Sequence, residues 1–374
     1  MGIYQQLGLK QVINASGKMT ALGASAVHPS IAQAMGEAAM DYVEISELML
    51  VAGRHIAEAT GAEDGCPTSG AAAGIAISVA AVIAGSHLSL IEQLPFSDGL
   101  NNKIILQKGH AVHFGASVQQ MIALGGGIAV EVGHANHVEE AHLREAIDDR
   151  TAALLYVKSH HAIQKGMQSL ETMIQLGREF GLPVIVDAAA EEDLRRYVAM
   201  GADLVIYSGG KAIGGPTSGF ITGRAELVAA CRAQYKGIGR AMKVGKEAIA
   251  GLLEALRQYD PENQDVTEQR RRVEWLAGEL NGLPGLRAAI VQDEAGRAIY
   301  RVQVQVDEQV TGMTARELTR YLEQGNPAIF TRNHYVNTGV IAFDPRPFHE
   351  GQEQMIAARM KELLQKQGEG EYQQ

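Results

Sequence analysis

Between residues 100 and 225, short apolar runs alternate with segments of helical length. The runs are IIL near 104, IAVEV near 128, AALLYV near 152, PVIVDAA near 183, DLVIYS near 203 and GFIT near 219. Residues 137–147 and 169–180 lie between them and are long enough for helices. Apolar strands separated by helices predict βαβ units, and so an α/β fold with a mostly parallel central sheet and helices on both faces. Upstream, residues 1–30 read as an extended arm with turn residues at Asn14, Gly17, Gly23 and Pro29. A helical stretch then runs from about Ile31 to Thr60, with Gly61 as its stop. Past about residue 256 the texture becomes charged. PENQDVTEQRRRVEW reads as a solvated helix start, YRVQVQV (300–306) as a half-exposed strand, and 350–366 as a last helix before a polar tail. The expected division is an N-terminal arm and helix start (1–50), a large domain (51–255) and a smaller α+β C-terminal domain (256–374).

Composition narrows the function classes. Only 5% of the 374 residues are aromatic while 42 are Gly, which suits helices packed closely on a sheet better than a β-sandwich. Residues 66–91 contain no Asp, Glu, Lys or Arg, yet they are rich in Ala, Gly and Ser and carry His87, so a buried helix is expected there, not a membrane span. The net charge of −10 and the lack of a long Lys/Arg run argue against a nucleic-acid partner. The first 18 residues lack the apolar core of a signal peptide. Cys66 and Cys231 have no ligand-like spacing, and a reducing, cytoplasmic setting follows most simply.

Four features bear chemistry. CPTSGAAAG (66–74) opens the uncharged helix; its N–H groups, with the Thr68 and Ser69 hydroxyls and the small Gly70 and Ala71, suit a phosphate. Read alone, the same turn is ordinary packing. Asp187 ends the apolar run PVIV, where open parallel sheets bind ligands, although an Asp after a strand also serves as a helix N-cap. Lys211 follows the run DLVIYS in a glycine-rich, uncharged setting expected to be buried, with Ser208 just before it. Burial would lower its pKa and favour a nucleophile and base. His113, in KGHAVHFGAS, could lie over a flat ring or simply sit inside a turn. Lysine, carboxylate, phosphate cradle and ring cover are together what pyridoxal phosphate asks of a protein. His160 and His161 are adjacent in sequence and would point to opposite faces of a strand, with no carboxylate or thiol at ligand spacing, so no metal site is expected.

These residues sit in a longer run of recognisable motifs. VINASGKMT, TSGAAAG, KGHAVHFGA, ALGGG, YVKSHH, VIVDAAAEEDL, YSGGKAIGGPTSG and GIGRAMKVGKE follow in order over most of residues 10–250. The chain resembles the selenocysteine synthase-like branch of fold-type I pyridoxal phosphate enzymes, and within it the D-glucosaminate-6-phosphate ammonia-lyase family. The resemblance implies a fold-type I scaffold, a homodimer or higher oligomer with active sites near subunit interfaces, Lys211 as the Schiff-base lysine and Asp187 as the partner of the pyridine nitrogen. It gives the basic segment GRAMKVGKE a phosphoryl-type anion to handle. Arg240 and Lys243, three apart on one expected helix face, are assigned to the substrate phosphate, with Lys246 a weaker candidate. Arg332 or Arg346 would hold the substrate carboxylate. Selenocysteine synthases proper carry an N-terminal region for tRNA, whereas this chain enters the arm almost at once, which with its acidity argues against a tRNA substrate.

The expected activity is carbon–nitrogen lysis of a phosphorylated 2-amino-2-deoxy sugar acid, with D-glucosaminate 6-phosphate as the expected substrate. Lys211 would take the α-proton, and His113, Lys158, His160 or His161 would give a proton to the leaving hydroxyl. The alternative within the same cofactor is β-elimination, replacement or aldol cleavage on another amino acid. A nucleotide-binding oxidoreductase would need Gly-x-Gly-x-x-Gly between a first strand and its helix, and GGGIAVEVG near 125 lies outside that context.

Overall fold

The computed structural model describes residues 2–159, 162–260, 266–293 and 298–368. The chain forms two compact units, one from Ala24–Pro261 and one from Met1–Gly23 together with Glu262–Gln374. Strand β1 (Val12–Ala15) belongs to the second.

The first unit holds a seven-stranded sheet. Its strands are β2 (Asp64–Thr68), β3 (Lys103–Gln107), β4 (Ile128–Val132), β5 (Thr151–Val157), β6 (Val184–Asp187), β7 (Leu204–Ser208) and β8 (Gly219–Gly223), in the order β2-β8-β7-β6-β5-β3-β4. Neighbours are parallel except at β8, which runs against both β7 and β2. The mostly parallel sheet read from the apolar runs is borne out. Alternate residues serve opposite faces. Ile105, Leu154, Val186 and Val205 join one buried cluster with Met173 and Leu252, from helices Leu170–Phe180 and Lys246–Gln258. Ile104, Leu155, Ile185 and Ile206 join another with Ile75 and Val79, from helix Ala71–Ala84.

The expected helix over 31–60 is two, Pro29–Met40 and Ile45–Thr60, the second closed by Gly61 in the left-handed conformation. Residues 41–44 between them are extended or irregular. The uncharged stretch 66–91 ends β2, forms the buried helix Ala71–Ala84 and enters the short helix Leu88–Gln93. No helix among the described residues is long and apolar enough to cross a membrane.

The second unit carries β9 (Leu286–Gln292), β10 (Tyr300–Val306), β11 (Ala328–Thr331) and β12 (Val340–Phe343). β9, β10 and β12 make an antiparallel sheet with β10 in the centre, packed on helices Thr267–Asn281, Ala315–Gln324 and Gln352–Gly368. β1 pairs in parallel with β11, Val12 opposite Ala328. That pairing brings the first residues, read from the sequence as an arm, into this unit. Ile13 and Ala15 are completely buried in its core.

Candidate active site

Asp187 is the last residue of β6. The pleat turns its side chain to the face that carries helix Ala71–Ala84, the side Ile185 also faces. By the same alternation Ser208, at the end of β7, points to that face. The carboxylate is buried and accepts one hydrogen bond, from the Ala189 N–H at 3.2 Å. Burial pushes its pKa up to about 6, against the opposing pull of the nearby Lys211 charge and the Ala189 N–H. It caps no helix, since the loop that follows is irregular. That loop is pinned by the hydroxyls of Tyr197 on Glu191 (2.5 Å), Tyr207 on the Asp193 carbonyl (3.1 Å) and Tyr259 on the Glu192 carbonyl (2.7 Å).

Lys211 lies in the loop joining β7 to β8. Expected to be buried, it is half-buried. The loop closes on itself: the Gly215 N–H donates to the Gly209 carbonyl (2.7 Å) and the Gly209 N–H to the Ser218 carbonyl (2.9 Å). A Cβ on Gly209 would strike the Ser218 hydroxyl at 2.2 Å, which is why this closure needs glycine. Two adjacent strands thus deliver Asp187 and Lys211 to the same end of the sheet.

The cradle lies between β2 and helix Ala71–Ala84. Its first N–H groups have no partner within the helix and face the same end of the sheet. Ser69, Gly70 and Ala71 are half-buried. Thr68 departs from expectation: its buried hydroxyl donates to the Gly70 carbonyl at 2.9 Å, so it shapes the turn and has no proton to give a phosphate. Gly219 of β8 lets this turn lie on the sheet, because a Cβ there would meet the Gly70 carbonyl carbon at 2.7 Å. A buried carboxylate open to one more donor, a neighbouring lysine and a turn of unpaired N–H groups fit the ring nitrogen, aldehyde and phosphate of pyridoxal phosphate.

The remaining candidates fare unequally. Lys158 is half-buried at the end of β5, and its N–H donates to the Asp187 carbonyl at 2.8 Å. His113 is exposed, its Nδ1 accepting from the Gly115 N–H at 3.4 Å. His160 and His161 lie outside the described residues. Arg240 and Lys243 are exposed, with no ion pair to another described residue. They do not share an α-helix: Arg240 is in the 3₁₀ turn Ile238–Met242 and Lys243 lies just past it.

Lys246 is not available to a substrate. Its ammonium caps helix Pro29–Met40 through the carbonyls of Ala38, Ala39 (3.0 Å) and Asp41 (2.8 Å). Lys246→Met is expected to cost about 1–3 kcal/mol of stability, read in a denaturant titration, with KM unchanged.

In the second unit, Arg346 is held bidentately by the buried Asp344 (2.9 and 2.7 Å), which also accepts from Arg301 at 3.1 Å. Arg332, beside this cluster, is half-buried and has no ion pair to a described residue. Burial, then the Arg301 charge, push its pKa down. No group of three or more His, Cys, Asp or Glu among the described residues could hold a metal.

A family model for SelA, L-seryl-tRNA selenium transferase, matches residues 12–313. The chain belongs to the SelA family. The SelA family is pyridoxal phosphate-dependent and its scaffold is fold type I. Over 363 residues the chain is 48% identical to a D-glucosaminate-6-phosphate ammonia lyase of Salmonella typhimurium, covering 97% of this chain and 98% of that protein. It is also 48% identical, over 365 residues, to a 5'-C-glycyluridine monooxygenase-decarboxylase of a Streptomyces species, covering 96% of this chain and 92% of the other. A solved structure of D-glucosaminate-6-phosphate ammonia-lyase superposes with a TM-score of 0.94 at 48% identity, over 98% of this chain and 99% of that one.

Sequence reasoning passed over His110, three residues before His113 in the same motif, because nothing in KGHAVHF says which histidine is buried. His110 is buried completely.

Proposed function

We propose that this SelA-family protein is an ammonia-lyase that converts D-glucosaminate 6-phosphate to 2-keto-3-deoxy-6-phosphogluconate and ammonia. The observation that carries the reading is the buried Asp187 carboxylate beside Lys211 at the strand ends. The 48% identity to a lyase of that name along nearly the whole chain supports the substrate.

In this reading Lys211 holds the cofactor covalently, Asp187 accepts the ring N–H, and Ser69, Gly70, Ala71 and Ser208 surround the phosphate. Bound pyridoxal phosphate supplies an electron sink for the C–H bond beside the substrate's amine. Lys211 Nζ would take the proton from carbon 2. The hydroxyl on carbon 3 then leaves as water, with a proton from Lys158, His113, His160 or His161. Hydrolysis of the carbon–nitrogen bond consumes one water, so the net loss is ammonia alone. Arg240 and Lys243 hold the 6-phosphate. Arg332 takes the carboxylate in preference to Arg346, whose guanidinium is committed to Asp344. The enzyme works as a homodimer or larger assembly, for which the exposed apolar run Met40, Tyr42, Val43 and Ile45 offers a surface. A reducing, cytoplasmic setting suits its two free, buried cysteines.

The test is ammonia and keto-acid release from D-glucosaminate 6-phosphate by protein carrying a borohydride-sensitive visible absorption band. The double variant Arg240→Ala, Lys243→Ala is expected to raise KM at least about 30-fold, with kcat nearly unchanged. An unaltered KM would remove the phosphate from this turn. The second reading rests on the equal identity to the glycyluridine enzyme. Oxygen uptake and decarboxylation with 5'-C-glycyluridine, and no ammonia from the sugar acid, would establish it instead.

A further inference from the structure

The turn Lys108–His110 after β3 holds an imidazole that the chemistry above does not use. His110 is completely buried, and its Nδ1 accepts from the Val157 N–H at 3.3 Å. An accepting Nδ1 leaves the ring proton on Nε2. Nε2 has no hydrogen-bond partner among the described residues. The ring stands edge-on to Tyr156, with centroids 4.6 Å apart. Burial pulls its pKa down to about 4, against the Ile163 carbonyl and with the Lys158 charge, so the imidazole is neutral near pH 7.

The location gives this ring a purpose. β3 ends at Gln107, and its register with β5 reaches only Leu106 opposite Leu155. The Val157 N–H therefore has no strand partner on that side, and His110 Nδ1 takes the strand's place. The next N–H along, Lys158, turns to the other side and donates to the Asp187 carbonyl at 2.8 Å. Consecutive amides thus join His110 to the backbone of Asp187. The Ile163 N–H donates to the Gly109 carbonyl of the same turn (3.0 Å), and Gln164 Nε2 donates to the Val157 carbonyl at the end of β5 (3.2 Å). An apolar side chain of similar size would leave the Val157 N–H without its acceptor, so Nδ1 is what distinguishes histidine here.

We infer that His110 is a positioning residue, whose Nδ1 fixes the Val157–Lys158 peptide and, through it, the placement of the Asp187 carboxylate against the cofactor ring. The inference rests on the assignment of Asp187 to the ring nitrogen. It concerns neither the substrate nor the base.

The experiment compares full-length wild type, His110→Leu and His110→Asn, each titrated with pyridoxal phosphate below its own melting temperature. Asn Oδ1 can accept the same N–H, whereas Leu cannot. The Leu variant is expected to bind the cofactor at least about tenfold more weakly, with a displaced visible band. The Asn variant should stay within about threefold of wild type. A folded Leu variant with the wild-type dissociation constant and band overturns the inference, as does an Asn variant impaired as much as Leu. Nitrogen-15 spectra of the wild type give a reading that survives misfolding of any variant. The His110 ring must remain the Nε2–H tautomer from pH 5 to 8, and an Nδ1–H ring overturns the inference. Failure of the Asp187 assignment itself is seen separately: Asp187→Asn would then leave the cofactor band of otherwise wild-type protein unmoved.

Discussion

Lys211→Ala is expected to give a folded protein that takes up pyridoxal phosphate without a covalent bond and releases ammonia about 10⁴-fold more slowly, or not at all. The substitution removes two functions at one atom, the anchor and the base for the proton on carbon 2. The loop between β7 and β8 is closed by backbone bonds that alanine keeps, from the Gly215 N–H to the Gly209 carbonyl and from the Gly209 N–H to the Ser218 carbonyl. Borohydride reduction followed by mass measurement should fix the cofactor to wild type and leave the variant unlabelled. Substantial residual elimination in the variant would place the base elsewhere.

Asp187→Asn is expected to lower turnover by about a hundredfold or more, since a neutral amide cannot hold the ring nitrogen in its charged form. The same change should stabilise the cofactor-free protein. The native carboxyl has its pKa raised from 3.8 to about 6 by burial, so the folded state binds its proton more tightly than the unfolded chain does. Folding loses stability as pH rises from about 4 to about 6, and above that carries the full penalty of about 3 kcal/mol. Asn has no such titration. Denaturant titrations of the apoprotein should show wild type and variant converging near pH 4, with the variant ahead by up to about 3 kcal/mol at pH 7. Parallel profiles would mean that Asp187 does not titrate in this range. Activity down and stability up together are the signature of a group whose burial serves the ligand.

Much of the large unit could be read from its residues because strands buried on both faces are apolar throughout, as 104–106 and 184–186 are. Asp187 and Lys211 could be read for the same reason: each lies at or just beyond the carboxyl end of such a run, where an open sheet exposes its ligands. β2 was not visible. DGCPT contains Gly and Pro and no alternation, and Pro67 is tolerated because β2 is an edge strand. The break between Met40 and Ile45 contains neither Gly nor Pro. The duties of Lys246 and Arg346 depend on partners fixed by the fold. One caps a helix some 200 residues earlier in the chain, and the other is clasped by an aspartate whose role no local pattern announces. His110 escaped notice because its work depends on where β3 stops.

The pairing of β1 with β11 has a consequence for how the protein is made. Val12 leaves the ribosome about 300 residues ahead of Ala328, the residue it will lie beside. At about 5–20 residues per second the nascent amino terminus waits on the order of 15–60 seconds for its partner strand. Ala24–Pro261, contiguous in the chain, can be finished in that interval. Until the last hundred residues emerge, Ile13 and Ala15 have no core to enter and stay exposed to solvent.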